Sequence, residues 1–262
     1  MTIRQVRKSQ ITLFILFILI WCQRNFSWND NFLPEISFSD NKKAMEDLQN
    51  KAMALASNAL QWTDQAIQKF TSLESLPKPL DCKPGCHYCC YNLPVVTPPE
   101  ALLMGHHIEQ ALTDQVKQEI AYRIQQVIER IDGMNPEEIA MIRHELPCIF
   151  LKDAMCIVYK VRPAVCRTCT SISAEHCKMI FESRNHRARL KCYQHIREIS
   201  QTFQKKLVNS CQEMGCQSDL LYVAEAIRDY FKHPSPIEAW LQCEIVFNIP
   251  IWSNQSPSTH NE

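Results

Sequence analysis

Glycine is scarce in this chain, with only four among 262 residues. Loops that cradle phosphate need several closely spaced glycines, so we expect neither a phosphate-binding loop nor a dinucleotide-binding fingerprint. Net charge is also absent, because 28 lysines and arginines balance 28 aspartates and glutamates. The chain as a whole therefore has no field that would attract nucleic acid or an anionic membrane. These two absences argue against nucleotide cofactors and nucleic-acid partners.

Familiar catalytic patterns are missing as well. We find no Ser-His-Asp set, no paired-carboxylate signature and no strand-and-helix setting for a thioredoxin-like redox motif. The sequence also has no internal repeat and no low-complexity tract. With 46% hydrophobic residues, the chain can bury a substantial core as one large domain or two small ones. The composition predicts a globular protein and identifies no catalytic residue.

The apolar run at residues 11–22 is short. It has twelve residues, whereas about 20 are needed to cross a bilayer. Basic residues precede it, as in an export signal, but it ends at Trp21 and Cys22 without a small-residue cleavage site. One interpretation, which we favour, starts the protein at Met45 and makes it cytoplasmic. The alternative is export or membrane anchoring through residues 11–22, which would bring the thiols into an oxidising compartment.

Periodic apolar residues predict helices over most of the chain. The first stripe lies in residues 42–70 and recurs at spacings of three and four. Further helices are predicted at about 98–112, 114–131 and 136–144, from 174 onward, and at 237–243. Short strands are expected only at 149–151 and 157–159. The fold class is therefore mainly α, a helical domain around irregular cysteine-rich loops with at most short strands.

Two of these helices begin with a capping-box signature. Thr97 is the cap of the helix at 98–112, Pro98 takes its first position, and Glu100 reaches back to Thr97. Ser235 and Glu238 repeat the pattern before the last helix. The chain then divides into residues 1–41, a leader or upstream extension with a polar linker; 42–76, an amphipathic helix packing on the core; 77–180, a cysteine-cluster metal-binding domain; 181–252, a C-terminal helical region; and 253–262, a disordered tail.

The cysteines carry the strongest functional signal. Ten of the fourteen lie between Cys82 and Cys192, and the first four form the pattern C-x3-C-x2-C-C. Clusters with such short gaps are typical of thiolate metal sites. A disulfide between the neighbours Cys89 and Cys90 would be strained, so the pair is easier to explain as two ligands. Disulfides or free buried thiols are the alternatives to metal.

A second motif follows the first across a helical insert. It reads C-x-F-L-x4-C-x-V-Y-x2-R-P-x2-C-R from Cys148 to Arg167. Together the two motifs resemble the YkgJ-like cysteine-cluster family of zinc- or iron-chelating proteins, and related patterns occur in flagellin lysine-N-methylases. The resemblance covers about residues 79–177. It implies that the metal ligands are Cys82, Cys86, Cys89, Cys90, Cys148, Cys156, Cys166 and Cys177. Cys169 departs from the pattern and leaves open whether it or Cys177 completes the set.

Other residues near the motifs have two interpretations each. Arg162 and Arg167 flank Cys166 and are expected either to donate to ligand sulfur or to form surface salt bridges. His87 or His176 could replace a cysteine in a mixed site. The cysteines outside the motifs are expected to be buried apolar thiols, although Cys211 and Cys216 could pair if the protein is exported. The cysteines outside the motifs are Cys192, Cys211, Cys216 and Cys243.

The function that follows is metal binding. The expected cofactor is zinc or iron, including an iron–sulfur cluster, held by thiolates from two loops. One alternative is an iron–sulfur redox enzyme, or a protein-modifying enzyme similar to flagellin lysine-N-methylase. Another is a structural zinc module for protein interaction. The expected partner is the metal ion, a protein partner is left open, and membrane contact would involve only residues 11–22.

Overall fold

The computed structural model describes residues 42–73 and 76–248 of the chain. The apolar run at 11–22, the polar segment up to residue 41 and the tail at 253–262 lie outside the described residues, so their predictions stay predictions. Met45–Glu262 form one compact unit, and of the other unit, Met1–Ala44, only the start of a helix is described. None of the described helices combines the length and the apolar character that crossing a membrane requires.

Helices dominate the regular structure. The described residues contain α1 Lys42–Thr71, α2 Pro98–Ala111, α3 Asp114–Ile131, α4 Pro136–Ile142, α5 Ala164–Thr168, α6 Ala174–Glu182, α7 Gln194–Glu213, α8 Val223–Lys232 and α9 Pro236–Leu241. The strands are β1 Val95–Val96, β2 Leu151–Lys152, β3 Met155–Cys156 and β4 Leu221–Tyr222. β1 is antiparallel to β4, and β2 is antiparallel to β3. The mainly α fold with only short strands is confirmed.

The apolar stripe of α1 lies against the rest of the protein. Leu55, Ala59 and Phe70 are almost completely buried, as their spacing predicted. Burial of such a stripe stabilises a helix far more than intrinsic propensity does. The long helix predicted at residues 42–70 is therefore present and packs its apolar face inward.

The start of α2 uses the predicted capping residues. The Glu100 carboxylate accepts hydrogen bonds of 2.9 Å from both the backbone N–H and the hydroxyl of Thr97. The equivalent prediction for α9 is wrong, because the Ser235 side chain does not cap that helix. Glu238 instead accepts a 2.9 Å hydrogen bond from Gln49 of α1. A tertiary partner thus replaces the local capping bond.

Strands β2 and β3 form a hairpin that lies between the two predicted strand positions. Its register pairs Leu151 with Cys156 and Lys152 with Met155. The turn residues Asp153 and Ala154 have φ values of 49° and 60°. A two-residue turn with both residues left-handed matches the twist of a hairpin. Asp153 and Ala154 lack the glycine that usually signals such a turn, and the sequence pattern did not locate it.

The apolar core lies where α2, α8 and α9 meet. Leu102, Ile227 and Trp240 are all fully buried. Helices α2 and α8 come so close at Gly105 that a Cβ atom there would lie 2.4 Å from the ring of Tyr230. Only glycine permits this approach without a shift of the ring or the backbone. This core supports the cysteine loops from one side through the N-terminus of α2.

Candidate metal centre

The first cysteine loop is attached to the second through Cys82 and its neighbour Asp81. Ser171 donates its backbone N–H to the Cys82 sulfur at 3.2 Å, and Asp81 donates its own to the Ser171 carbonyl at 2.9 Å. The Asp81 carboxylate accepts from the N–H of Ala174 at 2.7 Å, at the start of α6. Gly85, with a φ of 87°, turns the chain between Cys82 and Cys86. The first loop is thus held by backbone groups of the region after Cys169.

A direct hydrogen bond joins the two cysteine motifs. Cys89 and Cys90 lie in the 3-10 helix Tyr88–Tyr91, and the Cys148 N–H donates to the Cys90 carbonyl at 2.7 Å. Cys156 is held opposite Leu151 by the β2–β3 hairpin. Motifs that are 58 positions apart in sequence therefore meet, as the resemblance implied.

Helix α5 presents the last cysteines of the second motif. The Cys166 N–H bonds to the Pro163 carbonyl at 3.0 Å, in the first turn of α5. Cys169 caps the other end through its N–H to Val165, at 3.1 Å. Both thiols therefore lie on a single short helix that follows the proline. Pro163 suits this place because its fixed φ favours the start of a helix and its missing N–H leaves no donor unpaired.

Cys89 is at the electrostatic centre of the thiols. Hydrogen bonds from the thiols of Cys169 and Cys90 lower the pKa of Cys89, and the positive charge of Arg162 acts in the same direction. The pKa values of Cys90 and Cys169 are raised, first by their bond to Cys89 and then by burial. Cys89 is therefore the sulfur best suited to carry negative charge.

The other thiols form two groups around Cys89. Burial and the nearby Cys177 raise the pKa values of Cys82 and Cys86. In the second motif, burial raises the pKa of Cys148 to about 12 and also raises those of Cys156 and Cys166. Cys89 contributes to the shift of every one of these five thiols. Seven of the eight cysteines proposed as ligands therefore form one interacting set with Cys89, and Cys177 joins it through Cys82 and Cys86.

Coordination geometry is a separate matter from proximity. Across residues 42–73 and 76–248, no three or more Cys, His, Asp or Glu side chains are arranged to hold a metal ion. The donor set itself fits zinc or iron, which take soft thiolate ligands. Desolvation raises the pKa values of Cys148, Cys156 and Cys166, and a bound cation would favour their ionised form. The sulfurs lie near one another, and binding one metal ion would require shorter distances between them.

Cys169 lies among the thiols of the site, although the eight ligands that the resemblance implies do not include it. Its thiol bonds to Cys89, whereas Cys177 interacts with Cys82 and Cys86. The two candidates for the last ligand therefore lie in different groups and do not compete for one position. The Cys166-x2-Cys169 spacing could have identified Cys169 as a site residue, since C-x2-C is common among thiolate ligands.

The two arginines have different roles. Burial raises the pKa values of Cys156 and Cys166, and the positive charge of Arg162 beside these thiols opposes that rise. Its Nε is buried without a hydrogen-bond partner, and its guanidinium carbon lies 3.9 Å from the centre of the Tyr159 ring. Arg162 therefore supplies positive charge next to sulfur, and its predicted hydrogen bond to a ligand sulfur stays a prediction.

Arg167 makes a structural contact instead. It donates to the carbonyls of Arg162 at 2.8 Å and Lys160 at 2.6 Å, and its third nitrogen pairs with Asp64 of α1. All three guanidinium nitrogens bond to oxygen, so of the two predicted alternatives for Arg167 the salt bridge is present, with Asp64, and the bond to a ligand sulfur is not. The side chain is only 7% exposed and ties the second motif to α1.

The histidines differ in their freedom to bind metal. Nδ1 of His87 lies 3.1 Å from the Gly85 carbonyl, and its ring stacks on Tyr88 at 5.0 Å. His176 has a buried Nδ1 without a hydrogen-bond partner, and it adjoins Cys177. The geometry therefore favours His176 over His87 as the imidazole of a mixed site.

A small cleft opens beside the thiols. It encloses about 40 Å³ and includes Cys89 and Cys177 among its lining residues. Tyr91 and Phe181 form an aromatic wall, with ring centres 4.5 Å apart. Arg143 lines the same cleft. A small ligand could thus reach the region between the two thiol groups from outside.

One of the comparisons with known proteins gives a match, to a family of metal-chelating domains. The model of a family named CxxCxxCC, described as "Putative zinc- or iron-chelating domain", matches residues 81–212, just over half of the chain. No curated protein and no solved structure matches the chain. The matched residues include every thiol of the two groups and end before Cys216.

Proposed function

Because the chain belongs to the CxxCxxCC family of zinc- or iron-chelating domains, we propose that it binds its metal through thiolates from the two cysteine loops. The observation that carries the proposal is the meeting of the two motifs. Cys148 bonds to the Cys90 carbonyl at 2.7 Å, and the Cys89 sulfur interacts with thiols of both loops. Such an arrangement brings distant ligands together at the low entropic cost of short local loops.

The proposed ligands fall into two groups. One consists of Cys82, Cys86 and Cys177, and the other of Cys90, Cys148, Cys156, Cys166 and Cys169. Cys89 interacts with both, which supports two neighbouring sites or one shared cluster. Zinc would supply cross-linking of the loops, and an iron–sulfur cluster would add one-electron chemistry.

Residues of this chain set the environment of the proposed site. Arg162 offsets negative charge on sulfur, and its stacking on Tyr159 fixes the orientation of the guanidinium. Ser171 donates an N–H to Cys82, which steadies a sulfur that is otherwise on an exposed loop. Such bonds to ligand sulfur orient the ligand and tune the metal.

Metal analysis of the purified protein tests the proposal. Protein prepared without oxygen is expected to contain stoichiometric zinc or iron, with visible absorption near about 400 nm if an iron–sulfur cluster is present. Cys86→Ser and Cys156→Ser each remove one thiol from a different group, and Cys192→Ser is the matched control outside both groups. Loss of all metal from both variants indicates a shared site, and partial loss from each indicates two sites.

The control variant must keep the full metal content. Wild-type protein without zinc or iron would overturn the proposal, and so would full retention of metal in both Cys86→Ser and Cys156→Ser. Circular dichroism of each variant separates loss of a ligand from loss of the fold.

The cleft favours a second candidate function. Arg143, Cys89 and Cys177 line it, so water or a small solute could reach these thiols, which a purely structural metal would not require. Of the two enzyme alternatives this favours the iron–sulfur redox enzyme, because a space of about 40 Å³ holds a few water molecules and not a protein side chain. Anaerobic protein would then be coloured and would bleach reversibly with dithionite. Colourless protein with stoichiometric zinc would exclude the redox enzyme.

A further inference from the structure

Two further thiols, those of Cys216 and Cys243, lie close together outside the matched domain, near the C-terminal end of the described residues. The sulfurs of Cys216 and Cys243 are 3.5 Å apart. Both also lie near the Met214 carbonyl, at 3.7 and 3.5 Å. The sequence suggested Cys211 as the disulfide partner of Cys216, but the thiol that contacts Cys216 is that of Cys243. These two cysteines belong to neither group of proposed ligands.

Hydrogen bonds on the residue after Cys216 hold this pair in place. The Gln217 side chain accepts from the backbone N–H of Phe247 at 3.0 Å and donates to its carbonyl at 2.7 Å. The Gln217 carbonyl accepts from the Trp240 indole at 2.9 Å. Because Trp240 and Phe247 flank Cys243 in the chain, these bonds fix the approach of Cys243 to Cys216. The contact between the thiols is thus a consequence of the local fold.

The backbone on both sides leaves room for the sulfurs. Cys243 has a φ of 61°, and Gly215 has a φ of 70°. A Cβ atom at Gly215 would lie 3.9 Å from the Cys243 sulfur. Left-handed conformation is costly for residues other than glycine, asparagine and aspartate. Its use at a cysteine directs this side chain toward Cys216.

We propose that Cys216 and Cys243 are a redox modification site that forms a reversible intramolecular disulfide, with a low-molecular-weight disulfide such as oxidised glutathione as the oxidant. Cys243 is exposed, whereas Cys216 is only 8% exposed, so Cys243 is the thiol that the oxidant reaches first. The sulfurs need to move from 3.5 Å to a bond length of about 2.05 Å, which side-chain rotation can achieve.

The reaction balances through two exchanges. The Cys243 thiolate attacks one sulfur of oxidised glutathione, forming a mixed disulfide and releasing one glutathione thiolate. The Cys216 thiolate then attacks the Cys243 sulfur and releases the second glutathione. Two protons pass from the protein thiols to solvent or to the departing thiolates. The protein loses two electrons, and oxidised glutathione is reduced to two glutathione molecules.

The disulfide would join the end of α7 to the segment after α9. It would close a loop between positions that differ by 27 in sequence, which constrains the unfolded chain. Two residues of the apolar core, Ile227 and Trp240, lie within this loop. Oxidation would therefore stabilise the helical part of the protein without using any thiol of the proposed metal centre.

Peptide mapping tests the proposal on the full-length, metal-loaded protein. After treatment with oxidised glutathione, free thiols are alkylated and the chain is cleaved after glutamate. Cleavage at Glu213 separates Cys211 from Cys216, so the expected product joins peptide 214–225 to peptide 239–244. Dithiothreitol should release the two peptides. The melting temperature of the oxidised protein should rise by about 5 °C or more.

Variants at three cysteines sharpen the assignment. Cys243→Ser, at an exposed position, should lose the cross-link and the rise in melting temperature. Cys192→Ser and Cys211→Ser should keep both, and the metal content should not change in any of them. Glutathione retained on Cys243 without a cross-link would overturn the proposal. A cross-link to Cys211, or a complete Cys216–Cys243 bond without any rise in melting temperature, would overturn it as well.

Discussion

The helical core and the cysteine loops of this protein are stabilised by different interactions. In the core, Leu102, Ile227 and Trp240 are fully buried, and each such side chain contributes about 1.5–3 kcal/mol through burial. In the loops, Cys82 is exposed and most of the other proposed ligands are half-buried, and backbone hydrogen bonds contribute only about 1 kcal/mol each. Apolar packing can therefore stabilise the core, and we expect the loops to depend on the proposed cation to bring their sulfurs together.

Two buried charges connect the regions. One Glu100 oxygen accepts from Thr97 at the start of α2, and the other accepts from the Ala164 N–H at 2.9 Å, at the start of α5. Arg167 connects the same short helix to Asp64 of α1. Helix α5, which presents Cys166, is thus anchored to the core by one acidic and one basic side chain. Perturbations can therefore be directed at the cysteine loops, at the helical core, or at the contacts of Glu100 and Arg167 that join them.

The largest effect is expected from metal withdrawal. A chelator should release the loops, because structural zinc contributes binding free energies of about 10 kcal/mol or more to the folding of small domains. Amide hydrogen exchange should then lose protection in residues 82–91 and 148–169, the two cysteine loops, and keep it in α2 and α8. Unchanged exchange and an unchanged melting temperature after complete metal removal would contradict the distinction between the regions.

Trp240→Ala is expected to act on the core alone. Removal of this fully buried side chain should lower the free energy of unfolding by about 3–5 kcal/mol, because a large cavity replaces it. Denaturant titration measures the change, and metal stoichiometry should stay at the wild-type value. Phe231→Ala is the control, since that aromatic side chain is 46% exposed. A loss in the control as large as that in Trp240→Ala would mean that burial is not the cause.

Arg167→Ala should break the connection between α1 and the second motif. Three hydrogen bonds are lost, and the carbonyls of Lys160 and Arg162 lose a charged donor, so we expect a loss of about 2–3 kcal/mol. Metal affinity should fall as well, because α5 is no longer anchored. Arg130→Ala removes an arginine whose ion pair with Glu145 is about half-exposed, and it should cost about 0.5 kcal/mol or less. Equal losses in the two variants would show that Arg167 is an ordinary surface charge.

The smallest effect concerns the pH dependence at Glu100. Burial raises the pKa of Glu100, so the folded protein keeps this proton where the unfolded chain has lost it. Its contribution to stability is complete below the ordinary pKa of glutamate and is lost as the pH rises through the raised value. Glu100→Gln should remove this pH-dependent contribution and lower the free energy of unfolding by about 1 kcal/mol, because the hydrogen bonds are weaker. Unfolding free energies measured across the acid range should therefore vary less with pH in the variant.

Glu119→Gln serves as the opposite control. A hydrogen bond from Lys152 lowers the pKa of Glu119, so its contribution is present above the ordinary pKa and is lost as the pH falls through the lowered value. The two variants should therefore change the pH profile with opposite signs. The same sign in both would mean that burial does not control the titration of Glu100.

Local sequence predicted the elements whose causes are local. The spacing of Leu55, Ala59 and Phe70 fixed the buried face of α1, and Thr97 with Glu100 fixed the start of α2, because periodicity and capping act within a few residues. The position of the β2–β3 hairpin was not predicted, because neither of its left-handed turn residues, Asp153 and Ala154, is a glycine that would signal the turn. The cap of α9 was mispredicted because Glu238 has a distant partner, Gln49.

The sequence by itself determined that this is a helical protein with the cysteine motifs of a zinc- or iron-chelating family, since helix periodicity and cysteine spacing are properties of neighbouring residues. Only the tertiary structure decided which distant groups meet. It brought Cys169 to Cys89, turned Arg167 away from sulfur toward Asp64, and placed Cys243 beside Cys216 instead of Cys211. These contacts depend on how helices pack and where irregular segments turn, and side-chain partners across such distances are not encoded in local spacing.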